Sequence, residues 1–448
     1  MRVNKYLMIF CLLVASLWSG GTLASGQERF ANYKVDPSLS AMVVDSKNGQ
    51  ILFEQNTDSL VAVGDLTKLL TLYLVMEAVD HGDLTMDSSV PISEQAYQLS
   101  QNYDINNVPL RQDYDYKLED LVQAVLVQSA NGASLALAQM IEPDEDKFVE
   151  LMRDQLTEWQ EDDFEIYNAT GLTKEDLDAS LETNSLKQTE KQVNRMSTEV
   201  LATIAYHLLE VYPDIGQYSQ KDIDTFVKDS EDAFDMNNAN LLVSGGEYDY
   251  DLATGLMVDD SQEELQSIVS TSQRDDLGLI GVSLGYDDPD QMYHAMTDLL
   301  QETYSSYRVE KIAKAGDKIE HIGQTRVRGG VDRSVDFKYR HDVSIVVPVI
   351  DTAPQMTYNF LPDYQYFDKQ NNLMAPVKEN TLVGYMKIDA LNTPSLGSLA
   401  SCRGNQAEVT VAKEVDQASS WTSFWRTLSD SFNDLMRDLR SFFVNLFN

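Results

Sequence analysis

Between Leu66 and Ala78 the apolar residues Leu66, Leu69, Leu70, Tyr73, Leu74, Val75 and Ala78 recur at helical spacing on more than one face. A helix apolar on several faces is stable only when other elements cover all of them, so it must be a core helix with the chain folded around it. Asp65 stands at or beside its predicted N-cap, Lys68 follows three residues later on the same side, and His81-Gly82 predicts its end. A chain of 448 residues with 43% hydrophobic composition has enough material for two or three domains and at least one substantial core.

The N-terminus carries Arg2 and Lys5, then the apolar run from Tyr6 to Trp18, then small residues to Gly26. That order predicts a secretory signal peptide over residues 1–25, and hence export across the cytoplasmic membrane to the outer face of the cell membrane and the cell wall. An uncleaved anchor is the alternative, but the run is shorter than the roughly 20 residues of a spanning helix. Cys11 leaves with the signal and Cys402 remains alone, which excludes an intrachain disulfide in the mature protein. The net charge of −38 excludes nucleic acid as a partner. The densest acidic run, Glu142 to Glu165, reads as a solvated helix face and loop, and the five histidines lack ligand spacing. No metal and no cofactor are expected.

Along the chain, residues 40–45 and 51–54 around Asn48-Gly49 predict a hairpin, and residues 84–110 an irregular lobe with polar Asn102 to Asn107 beside a pocket. Helices are predicted over 118–127 and 133–141, with Ser129-Ala130-Asn131 between them. Such a loop either holds a hydroxyl and an amide at the rim of a cleft or is an ordinary helix-helix turn. Residues 167–172 read as a turn, and Ser197 as the cap of another helix. The segments 241–246, 251–257, 267–271 and 277–284 predict successive strands of one antiparallel sheet, closed by a helix over 291–307. From 308 to 413 short strands predict a small all-β domain. The tail 418–448 places Trp421, Phe424, Trp425, Leu428, Phe432 and further apolar residues on one stripe, the pattern of a helix lying in a membrane surface or packing on another protein face.

Three short elements stand in order: Asp65-Leu66-Thr67-Lys68, Ser129-Ala130-Asn131 and Ala253-Thr254-Gly255. With the turn at 168–172, the stretch 68–75, the segment 375–384 and the tail, they resemble the low-molecular-mass penicillin-binding proteins that act as serine-type D-alanyl-D-alanine carboxypeptidases. The resemblance implies a β-lactamase/transpeptidase-like α/β (α+β) domain over 33–307, with a central antiparallel sheet and a helical lobe. The small all-β domain and the C-terminal amphipathic helix follow it. In that family the first motif supplies a nucleophilic Ser and a Lys base, the second a Ser and an Asn on the opposite wall, and the third a Lys-Thr-Gly strand that pairs with substrate.

Carried over, the resemblance assigns catalytic positions to Asp65, Lys68, Ser129 and Asn131, and substrate-binding positions to Ala253, Thr254 and Gly255. The departures are Asp65, where the family has Ser, and Ala253, where it has Lys. A carboxylate attacking an amide would have to form an anhydride, so acylation by the family route is expected to fail. Losing one positive charge and gaining one negative weakens capture of a peptide carboxylate by about 1–3 kcal/mol each where partly buried. Two readings follow. One is a cell-wall binding or scaffold protein that meets the peptidoglycan stem peptide weakly. The other is an altered hydrolase in which Asp65 acts as general base.

Overall fold

The computed structural model describes residues 36–419, apart from 37, 183–187, 229, 260–264, 351–353, 392 and 394. The expected leader and nearly all of the expected tail helix lie outside the described residues. Helix α1 (Lys68–Asp80) follows a 3-10 turn, Gly64–Thr67, and its residues from Lys68 to Met76 are all buried. Leu66, Leu69, Leu70 and Leu72 expose nothing, and full burial of each such side chain contributes about 1.5–3 kcal/mol. The helix stops at His81, where Gly82 takes the left-handed conformation (φ +81°) of a C-terminal cap.

Five strands form the central sheet: β1 (Ser40–Asp45), β2 (Ile51–Gln55), β3 (Ala253–Asp259), β4 (Gln266–Arg274) and β5 (Leu277–Tyr286). Their order is β3-β4-β5-β1-β2, antiparallel throughout, with β1 and β2 making the predicted hairpin. Residues 241–246, expected as a further strand, form turns instead. Gly246 N donates to Val243 O at 3.0 Å and Tyr248 N to Leu241 O at 3.1 Å, and the segment's one β-contact is an isolated parallel bridge between Ser244 and Lys221.

Seven more helices are described: α2 (Glu94–Ser100), α3 (Leu118–Gln128), α4 (Asn131–Ile141), α5 (Glu145–Glu158), α6 (Lys174–Ser180), α7 (Thr198–Val211) and α8 (Pro289–Ser306). Helix α1 packs against α4, α5 and α7, and α7 lies on the sheet. Ser197 caps α7 as predicted, its Oγ accepting from Val200 N at 3.2 Å. Alternation along β5 serves two layers: Ile280 and Val282 join the core of α1 and α7, while a Cβ on Gly281 would lie 2.7 Å from Met296 Sδ of α8. Among the described residues no helix is long and apolar enough to cross a membrane.

The acidic run departs from its reading as wholly solvated. Glu161 is 8% exposed and its Oε1 accepts from Thr203 Oγ1 at 2.7 Å. Burial pushes its carboxyl up to about 7 from an ordinary 4.5. The folded state therefore holds a proton that the unfolded chain releases, and this residue's contribution to stability falls as pH rises from about 4.5 to 7. Glu161→Gln should flatten that fall: its gain in Tm over the native chain should be larger at pH 8 than at pH 5, and an equal change at both would contradict it.

The chain divides into two compact units. The first comprises the chain up to Arg308 together with Pro348–Ala353 and Thr393–Cys402; the second comprises Val309–Val347, Pro354–Asn392 and the chain from Arg403 on. Among its described residues the second unit is all-β. A four-stranded sheet runs in the order Phe337–Tyr339, Gln406–Val411, Leu382–Ala390, Met356–Pro362, beside a three-stranded one containing Thr325–Arg328. Phe337, Leu373, Val383, Ile388, Val409 and Val411 fill its core.

Candidate active site at the head of helix α1

Asp65 lies inside the 3-10 turn, 2% exposed, and Lys68 opens α1 completely buried. The three-residue spacing stacks them on one side, and Lys68 Nζ is ion-paired with Asp65 Oδ1. The expectation that Asp65 caps the helix is corrected here, because neither the 3-10 turn nor α1 receives a side-chain cap. Both carboxylate oxygens point elsewhere: Asp65 Oδ2 accepts from Asn106 Nδ2 at 3.2 Å. The Asp65 backbone N–H donates to Asp259 Oδ1 at 3.1 Å, at the far end of β3.

Asn106 also ties in the second motif. Its carbonyl accepts from Asn131 N and from Asn131 Nδ2, each at 3.0 Å. Asn131 is 1% exposed, and its Oδ1 has no hydrogen-bond partner among the described residues. Ser129, 2% exposed, ends α3 in the left-handed conformation (φ 51°), which turns the chain sharply enough for α4 to begin at Asn131. The next residue in the lobe, Asn107, fixes the same corner: its Oδ1 accepts from Gly132 N at 2.8 Å. Asp65, Lys68 and Asn131 are thus brought together through Asn106.

The third element is held differently. Thr254 Oγ1 donates to Thr271 Oγ1 at 2.8 Å, on the neighbouring strand β4. Gly255 has φ +119°, and a Cβ there would lie 2.3 Å from Ser219 Oγ. Ser219, at the end of the 3-10 turn Ile215–Ser219, accepts from Leu256 N at 3.0 Å. The bonds that fix Ala253–Gly255 therefore run to β4, to this turn and, from Ala253 N, to Tyr250 O at 2.7 Å, and strand β3 reaches Asp65 through its other end, Asp259.

Behind the site stands the turn at 168–172. Asn168 Oδ1 accepts from Gly171 N at 2.7 Å and Thr170 N at 3.1 Å, so one side chain folds the turn. Thr71 Oγ1 of α1 donates to Ala169 O at 2.8 Å. Asn194 Nδ2 bridges Thr67 Oγ1 at 3.1 Å and Asn168 O at 2.9 Å. Gly171, with φ +87°, sits so close that a Cβ would lie 1.8 Å from Gly64 O.

Motif spacing did not single out Asn106, Asp259, Asn194 or Ser219. Asn106 fell within the polar Asn102–Asn107 stretch beside a pocket, which was the one available signal. Among the described residues, no group of three or more His, Cys, Asp or Glu side chains is placed to hold a metal ion.

A profile of the family described as D-alanyl-D-alanine carboxypeptidase (Peptidase S11) matches residues 31–288. The carboxypeptidase DacF of Bacillus subtilis is 22% identical over 307 residues, covering 68% of this chain and 72% of that protein. The carboxypeptidase DacA of Haemophilus influenzae is 25% identical over 354 residues, covering 78% and 80%. Among solved structures, a peptidoglycan synthesis regulatory factor (PBP3) from Streptococcus pneumoniae superposes with a TM-score of 0.69 at 26% identity, over 88% of this chain and 100% of that one. Penicillin binding protein 5 of Haemophilus influenzae shares the fold with a TM-score of 0.63 at 21% identity, over 84% and 97%. The family profile covers more than half of the sequence, and the chain belongs to the D-alanyl-D-alanine carboxypeptidase family of low-molecular-mass penicillin-binding proteins.

Proposed function

We propose that this protein is a D-Ala-D-Ala carboxypeptidase-like component of the cell envelope that binds peptidoglycan stem peptides without forming the family's acyl-enzyme, acting as a cell-wall binding or scaffold protein. In this reading Asp65 occupies the nucleophile position, Lys68 the base position, Ser129 and Asn131 the opposite wall, and Ala253, Thr254 and Gly255 the substrate-pairing strand. Residues 1–25 direct export and residues 418–448 hold the protein at the membrane surface.

The observation that carries the reading is the closed arrangement at Asp65. Its carboxylate is shared between Lys68 and Asn106, so the lysine at the base position is tied up as the ion-pair partner of the very residue it would have to activate. The Asp65 N–H is engaged as well, donating to the Asp259 carboxylate, which leaves it no free N–H to offer a developing oxyanion.

Purified protein incubated with fluorescent penicillin should carry no covalent label after denaturing electrophoresis, and a pentapeptide ending in D-Ala-D-Ala should release no D-Ala above a no-protein control. A stable adduct, or D-Ala release, would overturn the reading. Release that disappears in Asp65→Asn would establish the altered hydrolase instead.

A further inference from the structure

Beside Asp65 lies a half-open cavity of about 320 Å³, within the span of small-ligand pockets and near its lower end. Its polar lining consists of five carboxamides, Asn106, Gln128, Asn237, Asn238 and Gln266, joined by Tyr293. No lining residue carries a charge.

Two of these groups are fixed wall. Asn238 Nδ2 donates to Ser219 O at 2.9 Å and Lys221 O at 3.0 Å, and Tyr293 Oη donates to Ala239 O. Others keep capacity to spare: Gln128 Oε1 accepts from Asn237 N at 2.9 Å and leaves its amide N–H groups over. The side chains of Asn237 and Gln266 make no hydrogen bond among the described residues. A carboxamide both donates and accepts, so such a wall matches a ligand that does the same.

The surroundings disfavour an anion. Asn106 joins the cavity directly to the Asp65 carboxylate, and Val258 of the lining precedes Asp259 on β3. The whole chain carries a formal charge of −38. A ligand carboxylate entering here would lose water and meet no cation among the lining residues.

We infer that this cavity takes an uncharged, amide-bearing peptide segment, and that it selects against a free terminal carboxylate. The inference rests on the reading of the cleft as a peptide-binding site and adds the chemical class of the ligand.

Isothermal titration of the full chain with diacetyl-L-Lys-D-Ala-D-Ala and with its C-terminal carboxamide tests it. The carboxamide should bind at least about tenfold more tightly, since leaving a carboxylate unpaired in a partly buried site costs at least that factor. Gln266→Lys, which puts a cation on the wall at a side chain with no internal hydrogen bond, should bring the two affinities together by strengthening binding of the acid. Equal affinities in the native chain, tighter binding of the acid, or binding of neither peptide would each overturn the inference. A penicillin adduct alongside an intact carboxamide preference would overturn only the loss of acylation; a preference for the acid without any adduct would overturn only the ligand class.

Discussion

Replacing Asp65 by Ala should cost about 3–5 kcal/mol of folding stability, because it leaves a completely buried lysine without its counter-charge. Lys68 exposes none of its surface, and its ammonium is bonded to Asp65. Asn106 Nδ2 would lose its acceptor at the same time. The cost belongs to the orphaned charge, so it should largely vanish in the double variant Asp65→Ala, Lys68→Met, where an apolar side chain of similar length fills the space. Urea denaturation of the native chain and both variants decides the matter. A single variant within about 1 kcal/mol of native, or a double variant no better than the single, would rule out this account of the pair.

Gly171→Ala should be comparably damaging, by about 3 kcal/mol or more, and for a backbone reason. Its φ of +87° is costly for any residue with a Cβ, and the added methyl would lie 1.8 Å from Gly64 O. Either the turn at 168–172 or the 3-10 turn bearing Asp65 must shift. Gly82→Ala separates the two causes: Gly82 has a similar φ of +81° but nothing within 4 Å of its Cβ site. It should lose only the conformational part, about 1 kcal/mol. Equal Tm losses in the two variants would show that the close approach at Gly64 carries no weight.

Much of this architecture was legible because local pattern and tertiary environment agree. Helix α1 is apolar all round and is buried all round; β1 and β2 flank an Asn-Gly turn; Ser197 caps a helix. The pairing of Asp65 with Lys68 also follows from local spacing. Other features depend on partners remote in sequence. Asp65 reads as a cap from composition, yet Lys68 and Asn106 outcompete the helix N–H groups for its oxygens. The engagement of Asp259 with the Asp65 amide links positions 194 residues apart, which no periodicity encodes. Glu161 looks solvated amid acids, but Thr203 of α7 receives it in the interior. Residues 241–246 have strand composition, but local turns limit their pairing to one isolated bridge between Ser244 and Lys221.

The return of residues 393–402 to the first unit bears on the order in which the protein can be completed. Ile51 N, on the outer strand β2, donates to Gly397 O at 3.0 Å, and Leu399 N donates to Gly49 O at 3.0 Å. Leu399 itself is 1% exposed in the core built around α1. As the chain emerges from the ribosome, the hairpin at 40–55 is made early but its covering segment arrives much later, after Val309–Val347 and Pro354–Asn392 of the second unit and before that unit's strand Gln406–Val411. At about 5–20 residues per second, the stretch from 308 to 402 takes roughly 5–20 s to appear. Throughout that interval the flank of β2 is an uncovered strand edge, open to pairing with another chain. A segment of about ten residues thus makes the first unit's final closure wait on the synthesis of the larger part of the second.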